Sequence, residues 1–246
     1  MKYAIHDEVL PVRCPVVYLP GIDGTGRLLH RQTGLHERFT LRCVSYPQQS
    51  PHTYADLVTL GVKQLEETGP GVVLAESFGG AVALMLALER PDLVRRLVLV
   101  NTFAYFPRRL PIDVLSVVGP WLPNKPSHPA SRGIRGLFFF GPSVPKSEQD
   151  AWWDLTADVP MWVYGVRFPM IADLDLRSRL NDIDIPSLVF VASNDRVVPA
   201  TAGRLLAKRL PRARMIGFPT GHAAMIDPRV DVAAWLERPD YWPAVS

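Results

Sequence analysis

Six short apolar runs punctuate the chain: Cys14–Leu19 (CPVVYL), Phe39–Tyr46 (FTLRCVSY), Gly71–Ala75 (GVVLA), Leu97–Asn101 (LVLVN), Ser187–Ala192 (SLVFVA) and Arg214–Phe218 (RMIGF). Most are near-continuous hydrophobics rather than alternating, as strands covered on both faces must be. Helical periodicity fills the gaps at about 53–68, 78–89, 200–209 and 223–237, each bounded by Pro or Gly. Strand and helix in alternation predict βαβ units, and so an α/β fold with a mostly parallel central sheet flanked by helices. The rhythm breaks between about 104 and 184. That stretch holds ten of the 24 prolines, four of the six tryptophans and the run Leu137-Phe138-Phe139-Phe140, without a convincing strand. It is too apolar for a disordered linker. The expectation is a core domain of residues 1–103 and 185–246, with a helical cap, 104–184, inserted after the fourth core strand.

At 246 residues the chain is long enough for one large core around such a sheet. The net charge of +3 is mild, and the 27 Lys and Arg are spread along the sequence, so no nucleic-acid footprint is expected. The balance leaves room for weak interfacial contact with anionic surfaces. No stretch reaches the roughly 18 apolar residues of a membrane span, and the N-terminus lacks the apolar run of a signal peptide. A soluble cytoplasmic protein is expected. Cys14 and Cys43 both fall in apolar runs and read as two reduced core thiols. No cluster has metal-ligand spacing, so neither metal nor cofactor is expected. His30, His36 and His52 carry no nearby signature and read as surface or structural, whereas His128 lies in the cap, within reach of a substrate.

Three motifs carry chemistry. Ala75-Glu76-Ser77-Phe78-Gly79-Gly80 sits between a strand and a helix. A serine nucleophile on a sharp strand-to-helix turn needs small residues two places to either side, and Ala75 and Gly79 supply them. The helix N-terminus and the Phe78 amide then face any charge developing beside Ser77. A serine serving only as a helix cap is the bland alternative. Leu19-Pro20-Gly21-Ile22-Asp23-Gly24-Thr25-Gly26 follows the first strand, and its glycines leave backbone amides open. The amides of Ile22 and Phe78 are the expected oxyanion donors, with Gly21 and Asp23 near the substrate. The spacing is neither GxGxxG nor GxxxxGK[ST], which argues against a phosphate loop. Finally, Asp195 follows SLVFVA and His222 follows RMIGF, so both lie at the carboxyl ends of late strands, where such sheets present their sites. Asp184 precedes its strand and should lie at the opposite edge.

The order Ser, Asp, His and the three motifs together resemble the α/β-hydrolase superfamily over nearly the whole chain. Leu19–Gly26, with Gln32, Cys43 and Pro47, is similar to the esterase/lipase/thioesterase group that includes plant phytyl ester synthases. That group commonly shows Gly-Glu-Ser where this chain has Ala75-Glu76-Ser77. The resemblance implies the α/β-hydrolase fold and a small apolar ester substrate of short to medium acyl length, opened by Ser77, His222 and Asp195 through an acyl-enzyme. Aromatics at the cap, including Phe103, Tyr105, Phe106, Trp121, Trp152, Trp153, Trp162 and Phe168, would line the acyl pocket in part; Phe103 and Phe106 are the named substrate contacts. Acyl transfer, thioester hydrolysis and C–C bond hydrolysis use the same machinery and stay open, as does a non-catalytic scaffold. Oligomeric state is not legible.

Overall fold

The computed structural model describes residues 10, 13–106, 132 and 136–242. Six strands form one wholly parallel sheet: β1 Pro15–Leu19, β2 Thr40–Cys43, β3 Gly71–Glu76, β4 Val94–Val100, β5 Ser187–Ala192 and β6 Ala213–Phe218, in the order β2-β1-β3-β4-β5-β6. Every residue of β3 and β5 is buried, which explains the apolar runs Gly71–Ala75 and Leu188–Ala192 that make up most of them. Helices α1 Thr33–Arg38, α2 Tyr54–Thr68 and α3 Phe78–Glu89 connect the first strands. Helices α4 Lys146–Leu155 and α5 Met161–Asp173 lie between β4 and β5, α6 Ala200–Arg209 lies between β5 and β6, and α7 Val232–Glu237 closes the series.

The sheet separates two cores. Residues of α2, α3 and α6 pack on one face with Leu19, Val73, Leu97 and Val189. Leu35 of α1 and Trp235 of α7 pack on the other with Tyr18, Leu74, Val98 and Phe190. The chain leaves β1 towards β2 on one side, and β3 lies on the other. The carboxyl ends of β1 and β3 therefore flank a topological switch point, where an open α/β sheet leaves a crevice.

Local signals account for most boundaries. Thr53 caps α2: its hydroxyl accepts from the Asp56 amide, while the Asp56 carboxylate accepts from the Thr53 amide at 2.7 Å. Helix α3 is apolar all round because it is buried centrally. A Cβ on its Gly79 would stand 2.3 Å from the Leu19 carbonyl oxygen, so the helix start presses against the β1 loop in a way only glycine permits.

Four readings from sequence need correction. Strand β2 ends at Cys43: the Val44 amide still donates to Tyr18 O of β1 at 2.9 Å, but the Tyr46 amide turns away to Gly24 O at 2.8 Å. Cys43 is exposed on this edge strand and is no core thiol, whereas Cys14 is buried. Strand β4 starts at Val94, before the polar pair Arg95-Arg96; Arg96 lies over the Trp242 ring, 4.4 Å from its centroid. The helix read over 223–237 is interrupted. A single 3-10 turn, Ala224–Ile226, precedes Asp227-Pro228, and α7 starts only after Asp231 caps the Ala234 amide.

Candidate active site

Ser77 occupies the turn between β3 and α3 with φ 50° and ψ −121°, a region that costs a non-glycine residue on the order of 1–3 kcal/mol. Both of its peptide groups are held. Its amide donates to Val100 O at 2.9 Å, and its carbonyl accepts from the Thr102 hydroxyl. The strained turn is thus locked by the end of β4, and it lifts Oγ out of the strand towards the histidine.

His222 stands on the loop after β6. Its Nε2 is 3.0 Å from Ser77 Oγ and its Nδ1 is 2.7 Å from Asp195 Oδ2. Asp195, on the loop after β5, accepts at its other oxygen from the amides of Val197 (2.8 Å) and Val198 (2.9 Å). Those two bonds fix the carboxylate and leave one oxygen for the imidazole. Burial opposes a charge on His222, yet the adjoining Asp195 carboxylate, and Glu76 beyond it, raise its pKa above the ordinary histidine value. The arrangement can take a proton from Ser77 and hold it as an imidazolium. Asp184 is exposed ahead of β5, at the other end of the strand.

The loop after β1 lies against Ser77: a Cβ on Gly21 would be 3.8 Å from Ser77 Cβ. Among the described residues neither the Ile22 nor the Phe78 amide donates a hydrogen bond. Asp23 is turned inward, its carboxylate accepting from the Thr25 amide (2.9 Å) and hydroxyl (2.6 Å). Phe103 and Phe106 are brought together with each other. Their rings are 5.1 Å apart, buried in the main core. Trp121 and His128 lie outside the described residues. His30 pairs with Glu148 on the surface at 2.9 Å, and no group of His, Cys, Asp and Glu among the described residues could hold a metal ion.

Several residues escape a reading from sequence. Glu76, beside the nucleophile, is buried, and burial pushes its carboxyl up to about 7, with Asp23 adding to the rise and the 2.6 Å hydrogen bond from Tyr18 opposing it. Arg167 of α5 is wholly buried and donates to Ile22 O (2.6 Å), Pro47 O (3.0 Å) and His52 Nε2 (3.1 Å). Burial brings it down to about 10, so it remains a cation at neutral pH. It ties α5 to the loop that carries the Ile22 amide. A Cβ on Gly24, where φ is +69°, would stand 2.5 Å from the same guanidinium. Asn101 and Thr102 close β4 onto the site. The available signals were a lone arginine in the apolar helix MWVYGVRFPM and a polar pair ending the strand LVLVNT.

The segment 139–144 covers the histidine loop. The Phe139 ring lies 6.0 Å from the His222 ring, and Phe139 O accepts from the Ala223 amide at 2.9 Å. No helix among the described residues is long and apolar enough to cross a membrane.

Comparison with known proteins bears on the fold and the family. The model of the alpha/beta hydrolase family matches residues 16–235. A pimeloyl-[acyl-carrier protein] methyl ester esterase of Aromatoleum aromaticum is 30% identical over 180 residues, 68% of this chain and 72% of that protein. Phytyl ester synthase 2 of Arabidopsis thaliana is 35% identical over 97 residues, 35% of this chain and 13% of that much longer one. Among solved structures, an esterase from Exiguobacterium antarcticum superposes with a TM-score of 0.76 at 20% identity, covering 92% of each chain.

Proposed function

The chain belongs to the alpha/beta hydrolase family, and from that premise we propose that it is a serine carboxylesterase whose nucleophile, base and acid are Ser77, His222 and Asp195. The observation that carries the reading is the hydrogen-bonded chain from Ser77 Oγ through His222 to Asp195, built on a strained turn at a helix start. Ser77 Oγ attacks the ester carbonyl as His222 Nε2 takes its proton. Asp195 holds the tautomer with the proton on Nδ1 and stabilises the imidazolium. The oxyanion is received by the Ile22 and Phe78 amides, and Arg167 steadies the Ile22 loop. His222 then protonates the leaving alcohol, and a water activated in the same way releases the acid from the acyl-enzyme. No metal or cofactor enters.

The substrate is a small apolar ester of short to medium acyl length. Of the expected cap, 104–184, residues 107–131 and 133–135 lie outside the described residues; the described part acts as the cap, with Trp152, Trp153 and Phe139 clustered beside the histidine loop. Each methylene buried against such a surface contributes about 0.8 kcal/mol, roughly a factor of four. The test is a series of p-nitrophenyl esters from two to twelve carbons, assayed below their micelle concentrations. A rise in kcat/KM from acetate to a medium chain is expected, and a steady fall from acetate onwards would refute the apolar-pocket part of the proposal. The likeness to a phytyl ester synthase makes acyl transfer the second reading; an ester product formed with added alcohol reveals it.

A further inference from the structure

Asn101 follows β4 directly, in the left-handed region at φ 48°, buried, and every polar atom of its side chain is used. Its Nδ2 donates to the carbonyls of His222 (2.9 Å) and Gly221 (3.2 Å). Its Oδ1 accepts from the amide of Ala192, the last residue of β5, three positions before Asp195. Its own amide donates to Phe190 O at 3.0 Å. One side chain therefore joins the backbone of the histidine itself to the end of the strand that carries the acid. On either side, Val100 O and the Thr102 hydroxyl hold the Ser77 backbone. The three parts of the site meet at residues 100–102.

Only a side-chain amide can fill this place, since it must donate twice on one face and accept on the other. A carboxylate would set lone pairs against two carbonyl oxygens. Asparagine also tolerates the left-handed backbone better than most residues. We infer that Asn101 is a positioning residue for His222: it pins the histidine loop to β5 and so fixes the distance from Nε2 to Ser77 Oγ. A buried amide bonded on all sides contributes rigidity there that the loop alone lacks.

The inference rests on the proposed triad. The test compares full-length Asn101→Gly, which keeps the backbone conformation and removes the side chain, with Asn101→Asp, which keeps the shape and loses the donor. Ser77→Ala serves as the control. Both Asn101 variants should lose kcat by about ten- to a hundredfold with KM changed less than about twofold, as expected when a reacting group is displaced by a fraction of an ångström to one ångström. Fluorophosphonate labelling of Ser77 should slow in parallel, and the low-field proton resonance of His222 Nδ1 should weaken or shift. Folded variants with kcat within about twofold of the parent, or a loss confined to KM, would overturn the inference. So would failure of both variants to fold, which would make Asn101 a folding determinant. An inactive Ser77→Ala beside fully active Asn101 variants removes this inference alone; an active Ser77→Ala removes the triad and this inference with it.

Discussion

Replacing Glu76 by Gln should stabilise the protein, and should do so only at neutral and alkaline pH. Glu76 is buried with its Oε1 accepting from Tyr18 at 2.6 Å, a bond that a glutamine oxygen can keep. Burial raises its pKa from 4.5 to about 7. Between those values the native state holds a proton that the unfolded chain has released. Stability therefore falls as pH rises through this window, and the full cost is present above about 7. A rise of about 2.5 units corresponds to about 3 kcal/mol. Glutamine carries no such penalty, so the variant should be more stable by up to about 3 kcal/mol at pH 8 and nearly equal to the parent at pH 4.5. For a chain of this size that is about 6–12 °C in Tm. His222 titrates in both proteins, and Glu76 is the least of the influences on its pKa, so most of its contribution cancels. Urea unfolding of parent and variant at pH 4.5, 6 and 8 supplies the difference curve. A flat difference across that range, or a variant less stable at pH 8, would refute the reasoning, because it would mean that Glu76 sits charged at no cost.

The same carboxylate bears on catalysis. Because Asp195 and Glu76 raise the His222 pKa, the acid limb of kcat/KM should lie above the ordinary 6.5 and move down in Glu76→Gln; a pH–rate profile of each protein with a chemistry-limited substrate checks this. Asp195→Asn should cost on the order of a thousandfold or more in kcat while Asp184→Asn stays near the parent, since only Asp195 reaches the imidazole; parallel kcat measurements on the two variants decide it.

The middle of the sheet was legible because β3 and β5 are buried on both faces and so could not alternate. GVVLA and SLVFVA declared themselves as β3 and β5 by composition alone. The site was legible wherever a strand ends in an abrupt small-residue turn, as at Ser77. What sequence could not show is carried by partners far apart in the chain. Asn101 reaches a carbonyl 121 residues away, and Arg167 one 145 residues away; no local period marks either. Phe103 and Phe106 show a related ambiguity: an aromatic near the site is as readily core as pocket wall in a sequence, and the structure packs both into the main core. The six-residue helix α1 buries only Leu35, too little to set up a periodic signal. Cys43 looked interior because its neighbours are apolar, but β2 is an edge strand with its last two residues exposed.

The central claim is that Ser77 is the nucleophile, and intact-protein mass after incubation with a fluorophosphonate tests it most directly. The parent should take up one adduct, mapped by peptide digestion to Ser77, with ester hydrolysis lost in step with labelling. Ser77→Ala should remain unlabelled and lose about three or more orders of magnitude in rate. An adduct on another residue, or hydrolysis that survives in Ser77→Ala, would contradict the assignment.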